Sequence, residues 1–224
     1  MEKVAGTELS QHWDYLNEKQ KYAIVQQLVE FERRFTTTRF AADGSLYYKD
    51  DLPPTTTAST SSYLYKDSEG TPQPSNKFAV GPTNSRIYFD HGRSDIDIDR
   101  GPWNLARDYV VASAKREITC ISKFSSFPHP QGIYYGPRQY QPSAQKKLSV
   151  LYDYLKVAPY LLPKNRDLCA SVMWHSDLHA GNIFVDPNDL VKIVGVIDWQ
   201  AVHLGPLFFQ ARTPALLNFD GSPS

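Results

Sequence analysis

Asp177, Asn182 and Asp198 are the residues of this chain best placed to do chemistry. The first two stand in His175-Ser176-Asp177-Leu178-His179-Ala180-Gly181-Asn182, and the third in Ile197-Asp198-Trp199, sixteen residues beyond Asn182. Two carboxylates and a carboxamide are hard oxygen ligands of the kind that suit Mg2+. With two of the three on a metal, one carboxylate is left to act as a base on a hydroxyl. That chemistry requires the three side chains to converge. The flanking residues predict how: Ser171-Val172-Met173-Trp174 runs into the cluster, Ile183-Phe184-Val185 leaves it, and Val191 to Ile197 runs back to Asp198. Asp186-Pro187-Asn188-Asp189 supplies turn chemistry between two β-rich runs, which makes a hairpin. The hairpin carries Asp177, Asn182 and Asp198 to one end.

The pattern His175-x-Asp177-x-x-x-x-Asn182, followed by Ile197-Asp198-Trp199, resembles the catalytic core of the aminoglycoside phosphotransferase family, which shares its fold with the protein kinases. The resemblance implies ATP and Mg2+ as cofactors and a small-molecule hydroxyl as acceptor. Asp177 would accept the hydroxyl proton, and Asn182 and Asp198 would hold Mg2+ on the phosphates. His175 would brace the loop through a ring N–H to a nearby carbonyl, and His179 would donate to the γ-phosphoryl group. Phe184 and Ile197 match positions that line the adenine pocket. Met1-Glu2-Lys3-Val4-Ala5-Gly6 is similar to the hinge strand whose backbone meets the adenine, so Met1 and Lys3 join the nucleotide-binding candidates. Trp199-Gln200 replaces the Phe-Gly of the kinase signature, so kinase-style switching of that loop is not carried over. After the family-like turn Gly205-Pro206, Phe208-Phe209-Gln210 stand where the family offers a loop-anchoring acid, and that absence puts the rigidity of the loop in question.

The same resemblance implies a fold class and a domain layout. Residues 1–9 would be a hinge-like strand. Residues 10–224 would form an α+β, protein-kinase-like large lobe, mostly helical, with a loop and β insert at about 44–103. The small lobe, with its phosphate-covering loop and its Lys, would be missing. Gly44-Ser45-Leu46-Tyr47-Tyr48, Gly81-Pro82-Thr83-Asn84 and the stretch Gly205 to Arg212 resemble fungal members of the group named after altered inheritance of mitochondria, which implies a mitochondrial parent. Asp90, Asp95, Asp97 and Asp99 in the insert either favour a cationic acceptor or form a solvated loop pinned by Trp103.

Two other readings remain open at this stage. His175, Asp177, His179 and Asp198 also admit a zinc or two-metal hydrolase, although that reading leaves the spacing of Asn182 unexplained. The chain would alternatively be a non-catalytic fragment that binds a partner through the apolar face a small lobe would cover.

Composition narrows the classes further. Lys plus Arg equals Asp plus Glu at 24 each across 224 residues, which argues against a broad nucleic-acid or anionic-membrane surface. No apolar run approaches the roughly 18 residues of a membrane span. The N-terminus has neither a signal-peptide core nor an Arg-rich transit pattern. Cys120 and Cys169 are too few for a disulfide scaffold and read as buried thiols in a reducing compartment.

The elements follow from periodicity and caps. Ser10 to Leu16 predicts a short helix with Trp13 inward. Asn17 caps a helix over about 18–36, with Ile24, Leu28, Phe31 and Phe35 on its inner face. Tyr47 lies on a strand, expected to pair with Phe78 to Val80 and with Arg86 to Phe89. Residues 50–77 read as a surface loop interrupted by a short strand at Tyr63 to Tyr65. Asn104 is expected to cap a helix over about 105–124, with Leu105, Tyr109, Ala112, Ile118 and Ile121 inward. Ser143 opens another, with Leu148, Leu151, Tyr152 and Leu155 inward and Pro159 near its end.

Overall fold

The structure, a computed structural model, describes residues 3–52, 56, 58–124, 143–200 and 202–217. The chain enters as a short strand, β1 (Thr7–Glu8), followed by single 3-10 turns at Leu9–Gln11 and Trp13–Tyr15. One continuous helix from Ser10 was expected here. Ser10 spends its hydroxyl on the Glu8 carboxylate at 3.2 Å rather than on a cap; Trp13 packs half-buried against the core as expected, beside fully buried Leu9.

The first long helix, α1 (Glu18–Thr37), starts where Asn17 and Gln20 exchange hydrogen bonds: Asn17 Oδ1 accepts from Gln20 N and Gln20 Oε1 accepts from Asn17 N, both at 3.0 Å. This reciprocal pair satisfies two of the donors a helix start leaves open. Ile24 and Leu28, one turn apart, are buried and set the face that α1 presents. The strands β2 (Arg39–Phe40), β3 (Ser45–Tyr48), β4 (Tyr65–Lys66), β5 (Pro72–Gln73) and β6 (Phe78–Gly81) follow. β3 pairs antiparallel with β6 from Ser45 opposite Gly81 to Tyr48 opposite Phe78, as expected. Arg86–Tyr88 does not pair; it forms a 3-10 turn that drives the Tyr88 ring into the core.

Two helices come next, α2 (Ala106–Lys123) and α3 (Ala144–Leu161), packed on each other. Asn104 does not cap α2. Leu105 holds the cap position with no side-chain bond and points into solvent, and the inner face is Ala106, Tyr109, Val110, Ala112, Ala114, Arg116 and Cys120. Ser143 does cap α3, its hydroxyl accepting from Lys146 N at 3.2 Å. Its buried residue is Ala158, with Tyr154 rather than Tyr152 against the core, because the small side chains of α2 meet α3 near its C-terminal half. Cys120 is buried, while Cys169 is half-buried with its Sγ 3.6 Å from Pro163 O.

The last elements are β7 (Ser171–Met173), β8 (Ile183–Asp186), β9 (Asp189–Val196), β10 (Leu204–Pro206) and a short α4 (Leu207–Gln210). β8 and β9 are the expected hairpin, and β1 lies on the other edge of β8, giving a sheet in the order β1-β8-β9. A second antiparallel sheet runs β10-β7-β2-β4-β5. The fold is therefore mixed α and β. One core cluster joins α1 to the hairpin through Leu9, Ile24, Leu28, Leu178, Ile183 and Val185. A second joins α2, α3 and the insert through Tyr88, Ile96, Ile98, Trp103 and Tyr109. The sheet carrying β7 and β10 stands between them, with Ala42, Leu64, Val80 and Leu204 in its own cluster.

Gln27 locks α1 to the hairpin: its Nε2 donates to Val191 O at 2.6 Å and its Oε1 accepts from Ile193 N at 3.1 Å. The side chain thus pairs with β9 as a neighbouring strand would. Gln27→Met keeps the length and removes both bonds, leaving two partly buried backbone groups unpaired. The expected loss is about 1–3 kcal/mol, to be read as a lower midpoint in urea unfolding with an unchanged slope.

Candidate functional site

The site is built on the loop between β7 and β8 and on the end of β9. β7 delivers Trp174 and His175 into the interior, where both are buried. His175 Nε2 lies 2.8 Å from Ile197 O, so the ring carries its hydrogen on Nε2 and donates it to that carbonyl. The same residue's N–H donates to Asn182 O at 2.9 Å. Ile197 is thus held from both sides, and the loop and the end of β9 become one unit.

Asp177 closes the loop with its backbone. Its carbonyl accepts from His179 N at 3.1 Å and from Asn182 Nδ2 at 2.9 Å, while its carboxylate points outward. His179 Nδ1 accepts from Gly181 N at 3.1 Å, which leaves the hydrogen on Nε2, 3.7 Å from the Asp177 carboxylate. Asn182 is buried and its Nδ2 is committed, so its Oδ1 is the atom left for an outside partner. Asp198 is exposed and has a left-handed backbone, φ 64°. Asp tolerates that region better than most residues, though at some cost.

Trp199 and Phe35 support the strained turn. The Trp199 indole N–H donates to Val196 O at 2.8 Å. Its ring meets the His175 ring edge-on at 4.9 Å between centroids, and Phe35 of α1 meets it edge-on at 5.8 Å. Phe35 also touches Trp174 at 6.3 Å, so one helical side chain contacts residues on both sides of the loop. Sequence reasoning placed Phe35 only on the inner face of α1; its part at the site depends on long-range packing.

Phe184 lies on β8 opposite Glu8 of β1 and Gly195 of β9, and Ile197 lies at the end of β9. Lys3 is exposed on the segment leading into β1. That segment runs beside the hairpin: a Cβ on Gly195 would fall 2.7 Å from the Val4 side chain, and one on Gly6, whose φ is +125°, would fall 2.6 Å from Val185 O. Met1 falls outside the described residues. The structure therefore ties together the segments that carry His175, Asp177, His179, Asn182 and Asp198, places Phe184 and Ile197 on the hairpin beside them, and joins Lys3 to none of them by a hydrogen bond or ion pair among the described residues.

The donor set fits Mg2+ by chemistry: a carboxamide oxygen left open by the commitment of its nitrogen, and an exposed carboxylate on the adjoining turn. Among the described residues no group of three or more His, Cys, Asp or Glu side chains converges as a metal site. A zinc hydrolase would need such a set, and the buried Nε2 of His175 is already engaged by Ile197 O.

Gln210 corrects the concern about the missing anchor. Its buried Nε2 donates to Val172 O at 2.7 Å and to Gly205 O at 3.1 Å, tying β7 to β10 just outside the loop. A carboxamide does the anchoring through its hydrogens, and the partners are carbonyls. The sequence signal was the glutamine itself, a long polar side chain set in an apolar run.

Residues 134–209, a stretch that takes in Asp177, Asn182 and Asp198, match the sequence model of the phosphotransferase enzyme family. That family has a kinase-like fold, and its identification from the motif is confirmed. The chain is 30% identical over 251 residues to a subtelomeric hrmA-associated cluster protein of Aspergillus fumigatus, covering 99% of this chain and 46% of that protein. It is 22% identical over 243 residues to altered inheritance of mitochondria protein 9, mitochondrial, of Saccharomyces cerevisiae, covering 97% of this chain and 37% of that protein. The Komagataella phaffii protein of the same name is 23% identical over 236 residues, covering 99% of this chain and 36% of its own length. The chain thus spans less than half the length of these relatives. No solved structure matches it.

Gln210→Glu tests the polarity of the anchor. It puts a buried carboxylate against two carbonyl oxygens and removes both donors. The expected loss of stability is about 2–4 kcal/mol at pH 7, recovered in part as the pH falls and the new carboxyl takes up a proton. Thermal unfolding of the variant and the parent chain at pH 5 and pH 7 reads both effects.

Proposed function

We propose that this chain serves an ATP- and Mg2+-dependent transfer of the γ-phosphoryl group to a hydroxyl of a small molecule. What supports the reading is that Ile197 joins the loop carrying Asp177 and Asn182 to the end of β9, one residue before Asp198. In this reading Asp177 accepts a hydrogen bond from the acceptor hydroxyl, aims its oxygen, and takes its proton as the phosphoryl group is transferred. Asn182 Oδ1 and the Asp198 carboxylate hold Mg2+, which when bound neutralises charge on the phosphates. His179, with its hydrogen on Nε2, donates to the transferred group. His175 keeps the two halves of the site in register and takes no proton. Phe184 and Ile197 offer apolar surface to the adenine, and the segment through Met1 and Lys3 supplies a hinge-like backbone. In domain terms, residues 1–9 are the hinge-like strand and residues 10–224 the large lobe, with its insert at about 44–103.

A cationic acceptor is the narrower form of the proposal. Asp90 is paired with Arg86 at 2.9 Å, and Asp99 accepts from Gly101 N and Trp103 Nε1, each at 2.9 Å. Asp95 and Asp97, both exposed, are left as the acids that would act on it. The mitochondrial names of the yeast relatives make that organelle the compartment we propose.

The test is phosphate transfer from ATP to a panel of hydroxyl acceptors, with Mg2+ and without. Asp177→Ala is expected to lower turnover by about 10²–10⁴-fold while leaving the melting temperature nearly unchanged. Asp198→Ala is expected to abolish Mn2+ binding measured by electron paramagnetic resonance. Turnover untouched in Asp177→Ala, or metal binding untouched in Asp198→Ala, sinks the assignment.

A further inference from the structure

Asp43 lies where the insert meets the two strands that flank the candidate site. Its N–H donates to Trp103 O at 2.7 Å, and its carbonyl accepts from Trp103 N at 2.9 Å. Gly44 makes the same reciprocal pair with Leu204, both bonds at 2.8 Å. Ala42 O accepts the Ser171 hydroxyl at 2.8 Å, and Phe40 is in register with Ser171. Residues 40–44 therefore tie together the end of the insert, β10 just after the Asp198 turn, and β7 just before His175.

Inside this joint the Asp43 residue is 2% exposed, and its Oδ1 has no hydrogen-bond partner among the described residues. With one carboxylate oxygen buried and unpaired, the charged form is costlier to bury than the neutral carboxyl group. The titratable groups facing it do not relieve the cost. From α2 come Asp108, of the same sign, and Tyr109, whose hydroxyl is pushed up to about 12 by burial, by Tyr88 and by Asp43. Cys169, just before β7, is raised by burial and by Asp43. β7 itself brings the Ser171 hydroxyl. Neither a lysine nor an arginine acts on Asp43 among the described residues.

We propose that Asp43 is a proton-operated lock: the insert stays packed against β7 and β10 only while this buried carboxyl group is neutral, and ionisation loosens that joint. The inference does not rest on the phosphotransferase reading. Burial pushes the carboxyl up to about 7, opposed by the Ser171 hydroxyl and helped by Asp108. The folded state therefore keeps a proton that the unfolded chain gives up near the ordinary value of 3.8. The stabilisation is complete below that value and is lost as the pH rises through about 7. Neutral pH lies at the transition, so a small change in pH moves the population of the lock.

Asp43→Asn keeps the shape and removes the titration. Relative to this variant, the folding constant of the parent chain is expected to fall about tenfold per pH unit between pH 5 and 7 and to level off by pH 8. Parallel pH profiles overturn the proposal. Carbon-13 titration of the Asp43 carboxyl in the unmodified chain decides it independently of how the variant folds: a midpoint near neutrality supports the lock, and one in the ordinary carboxylate range overturns it. Hydrogen-exchange protection of the Asp43, Gly44, Trp103 and Leu204 amides is expected to drop in the parent chain from pH 6 to 8. Protection that stays constant across that range shows that ionisation does not open the joint, and rejects it.

Discussion

Ile197 makes two backbone hydrogen bonds on which the rest of the site depends. Its N–H reaches Asn182 O and its carbonyl receives the His175 ring. Each bond is worth only about 1 kcal/mol net, yet together they decide geometry. Without them the loop after β7 and the end of β9 would be separate segments, and the Asp177 and Asp198 carboxylates would have no fixed relation. The αL backbone of Asp198 follows from the same constraint: the chain must turn sharply once Ile197 is pinned, and Asp accepts that turn. The aromatic contacts of Trp199 with His175 and Phe35 keep the turn from relaxing.

The surrounding packing serves the same end from two sides. On one side α1 lies against the hairpin with Ile24 and Leu28 in the shared core and Gln27 bonded to the β9 backbone. On the other side the insert has its own organiser. The Arg100 guanidinium donates to the carbonyls of Tyr88, Arg93, Ser94, Ile96 and Ile98, so one charged side chain satisfies backbone that has no sheet or helix to satisfy it. Asp99 closes the loop onto the Trp103 indole. These bonds explain how a segment dense in charge becomes part of a core: Arg100 and Asp99 are spent inside it while Ile96, Ile98 and Trp103 turn inward, and Asp95 and Asp97 stay exposed. The alternative of a solvated loop pinned by Trp103 describes half of it.

What could be read in advance followed the range of the interactions. The hairpin, the cap at Asn17, the cap at Ser143 and the pairing of the Tyr47 strand with Phe78 to Val80 are local or have strong two-residue periodicity, and all are present. The misreadings share one cause. Asn104, Tyr152 and Arg86 to Phe89 have residue types that fit the expected element, but the packing of α2 on α3 and of Tyr88 under the insert selects another register or another turn. Gln210 was seen only as the absence of an acid, because its partners, Val172 O and Gly205 O, are brought to it by the sheet.

The amino-acid sequence by itself determined the chemistry on offer. The types and spacing of His175, Asp177, Asn182 and Asp198, the turn at Asp186 to Asp189, and the family they point to are all contained within one stretch in which neighbours are close in the chain. Only the tertiary structure decided which atoms are free to act. Asn182 Oδ1 is open because Nδ2 is bonded to Asp177 O, His179 has its hydrogen on Nε2 because Nδ1 is bonded to Gly181 N, and His175 is a brace because Ile197 O lies within reach. Likewise Asp43 becomes a buried acid through contacts with Trp103, Leu204 and Ser171, which are far from it in sequence. Burial and hydrogen-bond commitment are properties of neighbours in space, and a linear pattern does not specify them until the chain has folded.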